Sequence, residues 1–362
     1  MYRIFAINPG STSTKIALFN GEDCLFSANV NHDEETLRCS ISDQLPLRRD
    51  TILALLRDSD VSLEQVDAFV GRGGGLVSVL GGVYAVDALL LEHARIGANG
   101  ISHPAQLGSM LAHEFAAQYG KPSFVVNPPD TDEMCDEARL TGIKGVYRQM
   151  HLHALNLKET AIRHANSIGR RYEDCNFVVC HIGGGISVSA HRRGRMIDGN
   201  DIVGGEGPMA PTRCGGIPVM KVLEYLKDHA PSDMKNLCMK TGGFTSLLGT
   251  SDARDVEVRA EAGDEQAKRV WDAMVYQIIF WIGAMAAVLH GNVDGILLGG
   301  GMVKSKTLVR SISESCAWIA QVTAYPGEFE MEAMASGAIR ALKGEEATLT
   351  YTGAPVWQAF II

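Results

Sequence analysis

The chain has 362 residues, 46% of them hydrophobic and 21% charged, with a formal net charge of −9. That length suits about two domains whose cores need neither disulfide nor structural metal, and the acidic balance, with no long basic run, argues against a protein that tracks a nucleic-acid backbone. Eight cysteines without a CxxC pair or Cys/His ligand spacing read as thiols of a reducing interior, and the opening MYRIFAINPG lacks the apolar core of a signal peptide, so a soluble cytoplasmic protein is expected.

The first strand reads from Arg3 to Asn8. The turn Pro9-Gly10-Ser11-Thr12 follows, and a second strand runs to Phe19, giving a hairpin with a tip rich in Gly, Ser and Thr. Residues 21–50 read as further strands and a loop, followed by a short helix over 51–58. A buried strand, Val66 to Val70, runs into Gly71-Arg72-Gly73-Gly74-Gly75. Helical patterns cover 86–96 and 104–119. The strand Ser123 to Val126 runs into Asn127-Pro128-Pro129-Asp130, and another helix is expected over 150–166.

The scheme then restarts. Phe177 to Ile182 ends in Gly183-Gly184-Gly185 and returns as Ile186-Ser187-Val188-Ser189-Ala190. Much later, Val293-Asp294-Gly295-Ile296-Leu297-Leu298 runs into Gly299-Gly300-Gly301, as Val66-Asp67-Ala68-Phe69-Val70 runs into its own glycines. This weak internal repeat predicts an α/β protein of two related domains, 1–155 and 156–329, the second carrying a large insertion over 191–290. A long helix is expected over 263–290; its longest apolar run, Ile278 to Leu289, is 12 residues and too short to span a bilayer. A final helix over 330–342, in the tail 330–362, is expected to return to the first domain.

Four strand ends thus open into glycine-rich turns, and in α/β sheets ligands gather at such ends. Glycine lets a backbone approach a phosphate and turn its N–H groups into an anion nest. The common phosphate and hydrolase motifs are missing: there is no GxxxxGK[ST], no GxGxxG opening a helix after a strand, no HExxH and no GxSxG. A phosphate hairpin repeated in two halves points instead to the actin-like ATPase design.

Asn8-Pro9-Gly10-Ser11-Thr12-Ser13-Thr14-Lys15 resembles the first signature of the acetate kinase family, and His181-Ile182-Gly183-Gly184-Gly185-Ile186-Ser187 resembles its second hairpin signature. Gly205-Glu206-Gly207-Pro208 with Thr212-Arg213-Cys214-Gly215-Gly216, Leu152-His153-Ala154-Leu155-Asn156, and Pro326-Gly327-Glu328 with Glu330-Met331 are similar to the butyrate kinase branch. The resemblance, over residues 3–342, implies two actin-like (ribonuclease H-like) domains flanking a nucleotide cleft. It also implies ATP/ADP and Mg2+ as cofactors, a short-chain carboxylic acid as substrate, and a homodimer or higher homo-oligomer.

Physical chemistry agrees with such a reaction. A carboxylic acid with a pKa near ~4.3 is already an anion at neutral pH, so the acceptor needs cations rather than a base. Arginine forks suit carboxylate and phosphate oxygens, and Arg72 and Arg213 each lie in a glycine-bounded turn. The resemblance gives both the grip on acid and transferring phosphoryl. It assigns His153 to the phosphoryl oxygens, His181 to the second hairpin, and makes His103, with a one-residue gap, an active-site histidine. It assigns Asn8, Gly10, Ser11 and Thr12, and Gly183, Gly184 and Gly185, to phosphate; Gly299, Gly300 and Gly301 to adenosine and α-phosphate; and Asp252 and Arg254 to the adenine border, although Asp252 equally suits a helix N-cap. Glu330, with Glu328 close by, matches a metal-associated glutamate. Asn127 stands where the family carries a second metal-associated Asp, for which Asp130 or Asp132 are substitutes. An acetate or propionate kinase, a sugar kinase using an Asp base, or a non-catalytic nucleotide switch are the alternatives on this fold.

Overall fold

The computed structural model describes residues 1–59 and 61–360. In chain order its strands are β1 (Arg3–Pro9), β2 (Ser13–Asn20), β3 (Asp23–Asn31), β4 (Ala68–Gly71), β5 (Val83–Ala85), β6 (Ser123–Val126), β7 (Asn176–Ile182), β8 (Ile186–Arg192), β9 (Arg195–Gly199), β10 (Gly295–Gly300), β11 (Val322–Pro326) and β12 (Thr348–Leu349). They form a seven-stranded sheet, β12-β5-β6-β4-β1-β2-β3, and a five-stranded sheet, β11-β10-β7-β8-β9.

The same arrangement occurs twice. β4 runs parallel to β1, which turns back antiparallel as β2 and again as β3. β10 runs parallel to β7, which turns back as β8 and then β9. The central strands carry apolar residues on both faces, as strands covered on both sides must. In the first sheet Phe5, Ile7 and Phe69 pack under the helix Gln106–Tyr119, where Phe69 stacks on Phe115 at 6.1 Å. The helix Glu330–Lys343 packs along β1, β4 and β6. In the second sheet Val178, Cys180 and Ile182 share a core with the helix Glu265–Val288, while Phe177 and Val179 share one with the helix Ala154–Ser167.

The chain forms two compact units, one of Met1–Asp132 with Phe329–Phe360, the other of Glu133–Glu328. The first therefore ends upstream of the expected boundary at residue 155. Residues 133–153 carry the reason: Lys158 Nζ donates to both carboxylate oxygens of buried Glu133 at 2.9 Å, Met196 N donates to Glu133 Oε2 at 2.8 Å, and Cys135 N donates to Ile197 O at 2.9 Å. Each of these bonds ties the segment to the second sheet or its covering helix.

Two other expectations are corrected. The short helix over 51–58 is a longer one, Gln44–Arg57, whose inward face carries Gln44 and Arg48 beside Ile52 and Leu56, so polar residues broke its apolar period. The helix Glu265–Val288 has 24 residues and is long and apolar enough to cross a membrane by length and composition. Its Val270, Met274, Ile278, Ile282 and Met285 are buried in the second unit's core, as in a core helix.

Candidate active site

In the first unit three residues from distant parts of the sequence meet. Asn8, at the end of β1, donates from Nδ2 to Glu330 Oε2 at 2.7 Å. Arg72 Nε lies 3.8 Å from Glu330 Oε1. Arg72 follows β4, its backbone N–H bonds Ile7 O, and its side chain is buried with Nη1 lacking any hydrogen-bond partner. The close crossing of β4 and the helix Gln106–Tyr119 fixes that position: a Cβ on Gly71 would fall 2.0 Å from Gly108 O, and one on Gly108 would fall 2.6 Å from Arg72 N. Only glycine fits at both positions.

The hairpin tip beside Asn8 is held by Gly10 N–H donating to Ser13 O at 2.7 Å, with Ser11 and Thr12 exposed. Beneath it lies Arg48, 0% exposed, a residue sequence reading passed over. Its Nη1 donates to Gly10 O at 2.9 Å and Thr14 Oγ1 at 3.1 Å, and Gln44 Oε1 accepts from its Nε and Nη2. Burial lowers the pKa of this guanidinium. No carboxylate is among these partners, so backbone and amide oxygens hold the charge.

Asn127 and His103 have local work. Asn127, at φ 39° after β6, accepts from Gly82 N at Oδ1 (2.8 Å) and returns its own N–H to Gly82 O (2.9 Å). An Asn tolerates that left-handed backbone better than most residues, which accounts for the residue type without a metal. His103 is exposed, and its Nδ1 accepts from Ala105 N at 3.1 Å.

In the second unit the β7–β8 hairpin gathers a second group. Gly183 N–H donates to Gly185 O, and Thr212 donates from both N and Oγ1 to Gly184 O. Arg213 follows Thr212 and lies across Gly185, so closely that a Cβ there would fall 1.5 Å from Arg213 Nη1. Nε and Nη1 of Arg213 are buried without hydrogen-bond partners, and burial lowers its pKa. His153 and His181 stack with ring centroids 3.9 Å apart and planes at 21°. Ser187 Oγ lies 2.8 Å from His153 Nδ1 and accepts the His153 backbone N–H at 3.3 Å. At the end of β10, Gly300 (φ 100°) crosses so close to Ile182 that a Cβ would fall 2.4 Å from its carbonyl oxygen. Gly299 is buried and Gly301 exposed on either side of it.

Asp252 and Arg254 pair with each other instead. Asp252 caps the helix Ala253–Glu261 by accepting Arg254 N, and takes Arg254 Nε and Nη2 at 3.0 and 2.7 Å. The Arg254 contact holds the Asp252 carboxyl down to about 2. Two surface cavities of about 370 and 420 Å³ in this unit contain none of the residues above.

With both groups defined, relatives can be compared. The acetokinase family model matches residues 142–321. A "probable butyrate kinase" of Clostridium botulinum (strain Alaska E43 / Type E3) is 41% identical over 354 residues, covering 97% of this chain and 99% of that one. The chain belongs to the acetokinase family. Two solved structures share its fold. An acetate kinase of Porphyromonas gingivalis has a TM-score of 0.79 at 19% identity, with 94% of this chain and 100% of that one covered. A propionate kinase from Francisella tularensis subsp. tularensis SCHU S4 gives 0.70 at 18% identity, with 93% and 99% covered.

This acetokinase-family chain also has a charged network that sequence reading left unassigned. Arg148 pairs with Asp198 at 3.1 Å and Glu206 at 2.8 Å, and donates to Ala138 O and Gly199 O. Glu206 Oε2 accepts Asp201 N, while Asp201 Oδ2 lies 3.3 Å from His151 Nδ1. The network holds the irregular segment leading into His153 against the loop leading into Arg213. Its only sequence signal was a cluster of charges flanking those two residues.

Proposed function

We propose that the protein transfers the terminal phosphoryl group of ATP to the carboxylate of butyrate or a branched relative, giving ADP and an acyl phosphate, and that it also runs in reverse. The observation that carries this reading is Arg213: a guanidinium with Nε and Nη1 buried and unbonded, lying on the glycine hairpin. Two guanidinium nitrogens kept out of water without a hydrogen-bond partner are poised for an anion, because burial strengthens their field on a ligand. The 41% identity to a chain named as a probable butyrate kinase supports the choice of acid.

Direct in-line transfer then requires little covalent work from the protein. Arg213 and Arg72 would spread the charge that builds on the phosphoryl oxygens and hold the acceptor carboxylate. In this reading Ser187 Oγ–H donates to His153 Nδ1, and His153 would donate from Nε2. The N–H groups of Gly183, Gly184 and Gly185 would cradle nucleotide phosphates, as would those of Gly10, Ser11 and Thr12, with Gly299, Gly300 and Gly301 beside the nucleoside. Loss of one such charge-stabilising group costs about 10²–10³-fold in rate.

Mg2+ fits as an ion carried by the nucleotide. Among the described residues no three His, Cys, Asp or Glu side chains gather as a metal cage, but Mg2+ keeps most of its waters and takes one or two carboxylates. Glu330, with a quarter of its side chain exposed, is the carboxylate that would meet it. The ion would neutralise phosphate charge. We further assign the enzyme to the cytoplasm as a homodimer, with Tyr276 and Phe280, 69% and 62% exposed on the helix Glu265–Val288, as its contact face.

The test is a panel of acetate, propionate, butyrate, isobutyrate and valerate with MgATP, trapping product with hydroxylamine. Hydroxamate formation fastest on the four-carbon acids is expected. ADP release on a sugar with no hydroxamate would move the protein to the sugar kinases, and nucleotide binding without turnover on any acid would make it a switch.

A further inference from the structure

The strands β8 and β9 are joined by the two-residue turn Arg193-Gly194, closed by the facing pair Arg192 and Arg195. Both turn residues have positive φ, 48° and 83°, a geometry in which Asn-Gly is the favoured sequence. Like charges that face each other across two strands repel. The turn thus carries three guanidiniums that its own stability does not call for. Among the described residues none of the three has a side-chain hydrogen-bond or ion-pair partner. The acids nearby are engaged elsewhere: Asp174 pairs with Arg171 at 3.0 Å and Asp294 with Arg170 at 2.6 Å. Glu173 backs the turn at Gly194 without pairing with any of the three.

These arginines wall the surface cavity of about 370 Å³, whose lining contains no Asp or Glu. Asn176, Arg192 and Arg195 stand in register across β7, β8 and β9 and so share a face of the sheet. Ile197, two residues beyond Arg195, belongs to the core under the helix Glu265–Val288. The opposite wall is the end of that helix, Leu289 and His290. His290 has φ 57° at the position after the C-cap, where glycine is usual. The N–H groups of His290 and Gly291 return to Ala287 O and Ala286 O, so these last carbonyls are capped. Three non-glycine residues have a left-handed backbone among the described residues, and two of them, Arg193 and His290, line this one cavity. Each brings a nitrogen donor to a position that favours Gly or Asn. Asn176 Oδ1, in the same lining, is buried without a hydrogen-bond partner.

We propose that this cavity is a second anion site, for a small organic phosphate. The phosphoryl group takes the forks of Arg192, Arg193 and Arg195 and the imidazole of His290, and an apolar body rests on Ile197 and Leu289. Guanidinium forks match phosphate oxygens, and a dianion between Arg192 and Arg195 turns their repulsion into shared attraction. Asn176 Oδ1 is left to accept an N–H or O–H of the ligand. The site is separate from the glycine hairpin: β7 leaves the cavity at Asn176 and reaches the hairpin at Ile182, roughly 20 Å away at the rise of a strand. It does not depend on which acid or nucleotide the hairpin binds.

Calorimetric titration of the full chain with phenyl phosphate, in saturating MgADP, tests this. Wild type is expected to bind phenyl phosphate here at least about tenfold more tightly than inorganic phosphate, which has no body for the apolar floor. Arg193→Asn/Arg195→Thr is expected to weaken phenyl phosphate at least about tenfold, and Arg213→Ala to leave this binding unchanged. Arg193→Asn alone is expected to raise the urea midpoint, because Asn suits the turn that Arg occupies. Arg195→Thr, on the strand rather than in the turn, gives a second reading of the binding. No binding by wild type, or unaltered binding in the double variant, overturns the proposal. So does binding lost in Arg213→Ala and kept in the double variant, which would return the phosphate to the hairpin. A lowered urea midpoint in Arg193→Asn would show the arginine serving the turn and overturn the premise. Inorganic phosphate binding as tightly as phenyl phosphate overturns the assignment of an organic ligand.

Discussion

Gly185→Ala separates the chemistry of Arg213 from the stability of the fold. Gly185 does not have the positive φ that would strain an alanine, and the three atoms nearest a Cβ there all belong to the Arg213 head group: Nη1 at 1.5 Å, Cζ at 2.5 Å and Nε at 3.2 Å. A side-chain tip can swing away where backbone cannot. Releasing a buried, unbonded guanidinium to water also removes its desolvation penalty. Folding stability should therefore stay within about 1 kcal/mol of wild type, or rise slightly, since an alanine restricts the unfolded chain by about 0.4–1 kcal/mol relative to glycine. The rate of acyl-phosphate formation should fall about 10²–10³-fold, equivalent to about 2.7–4 kcal/mol of lost transition-state stabilisation. Arg213→Ala should reproduce the loss, and the double variant should add nothing to either single one. Gly300→Ala is the contrast, because its φ is 100° and its Cβ would meet Ile182 backbone atoms at 2.4 and 2.7 Å, so it should lose stability first. The measurements are hydroxylamine-trapped kcat/KM and urea unfolding. Gly185→Ala with activity within threefold of wild type, or additive with Arg213→Ala, refutes the account.

Arg48→Met should cost about 2–4 kcal/mol in urea unfolding, because it strands Gly10 O, Thr14 Oγ1 and Gln44 Oε1 while lifting the burden of a buried charge; a loss under 1 kcal/mol would contradict the bracing role. Glu330→Gln keeps the shape but removes the charge, and should raise the Mg2+ concentration for half-maximal rate about tenfold, about 1.4 kcal/mol, with little change in melting temperature; an unaltered Mg2+ titration would remove Glu330 from the metal. Burial lowers the pKa of His191, His164 and His32. The unfolded chain then binds protons that the native one refuses below pH ~6.5, so stability is full above that pH and falls as the solution becomes more acidic. Melting temperatures flat from pH 7 to 5.5 would be inconsistent with neutral buried imidazoles.

Much of the candidate site could be read from sequence because its residues lie in turns. The two glycine hairpins and the strand ends before Arg72 and at Gly299 announce themselves through residues whose turn role is local, and the buried strands through unbroken apolar runs. Other features could not be read. Arg48 and Gln44 interrupt the period of their own helix, so the brace under the first hairpin looked like a loop. β5 and β12 are three and two residues long, too short for a pattern. The Arg148–Asp198–Glu206 network joins residues whose pairing only the tertiary fold decides. Asp252 shows the converse, as its N-cap geometry was visible in the sequence and is what the structure contains.

The bond between Asn8 and Glu330 has a consequence for how the enzyme is born. A ribosome delivers Asn8 and Arg72 early, but the carboxylate that joins them emerges only after all of Glu133–Glu328 has been made. Until then one face of the first sheet lacks the helix that covers it, and Arg72 lacks its acidic neighbour. A chain interrupted by a stalled ribosome, or clipped by a protease just ahead of residue 330, would keep both arginines and both histidines but lack the Glu330 carboxylate and the helix that packs on the first sheet. The Asn8–Glu330 contact can thus form only when synthesis of the chain is nearly complete.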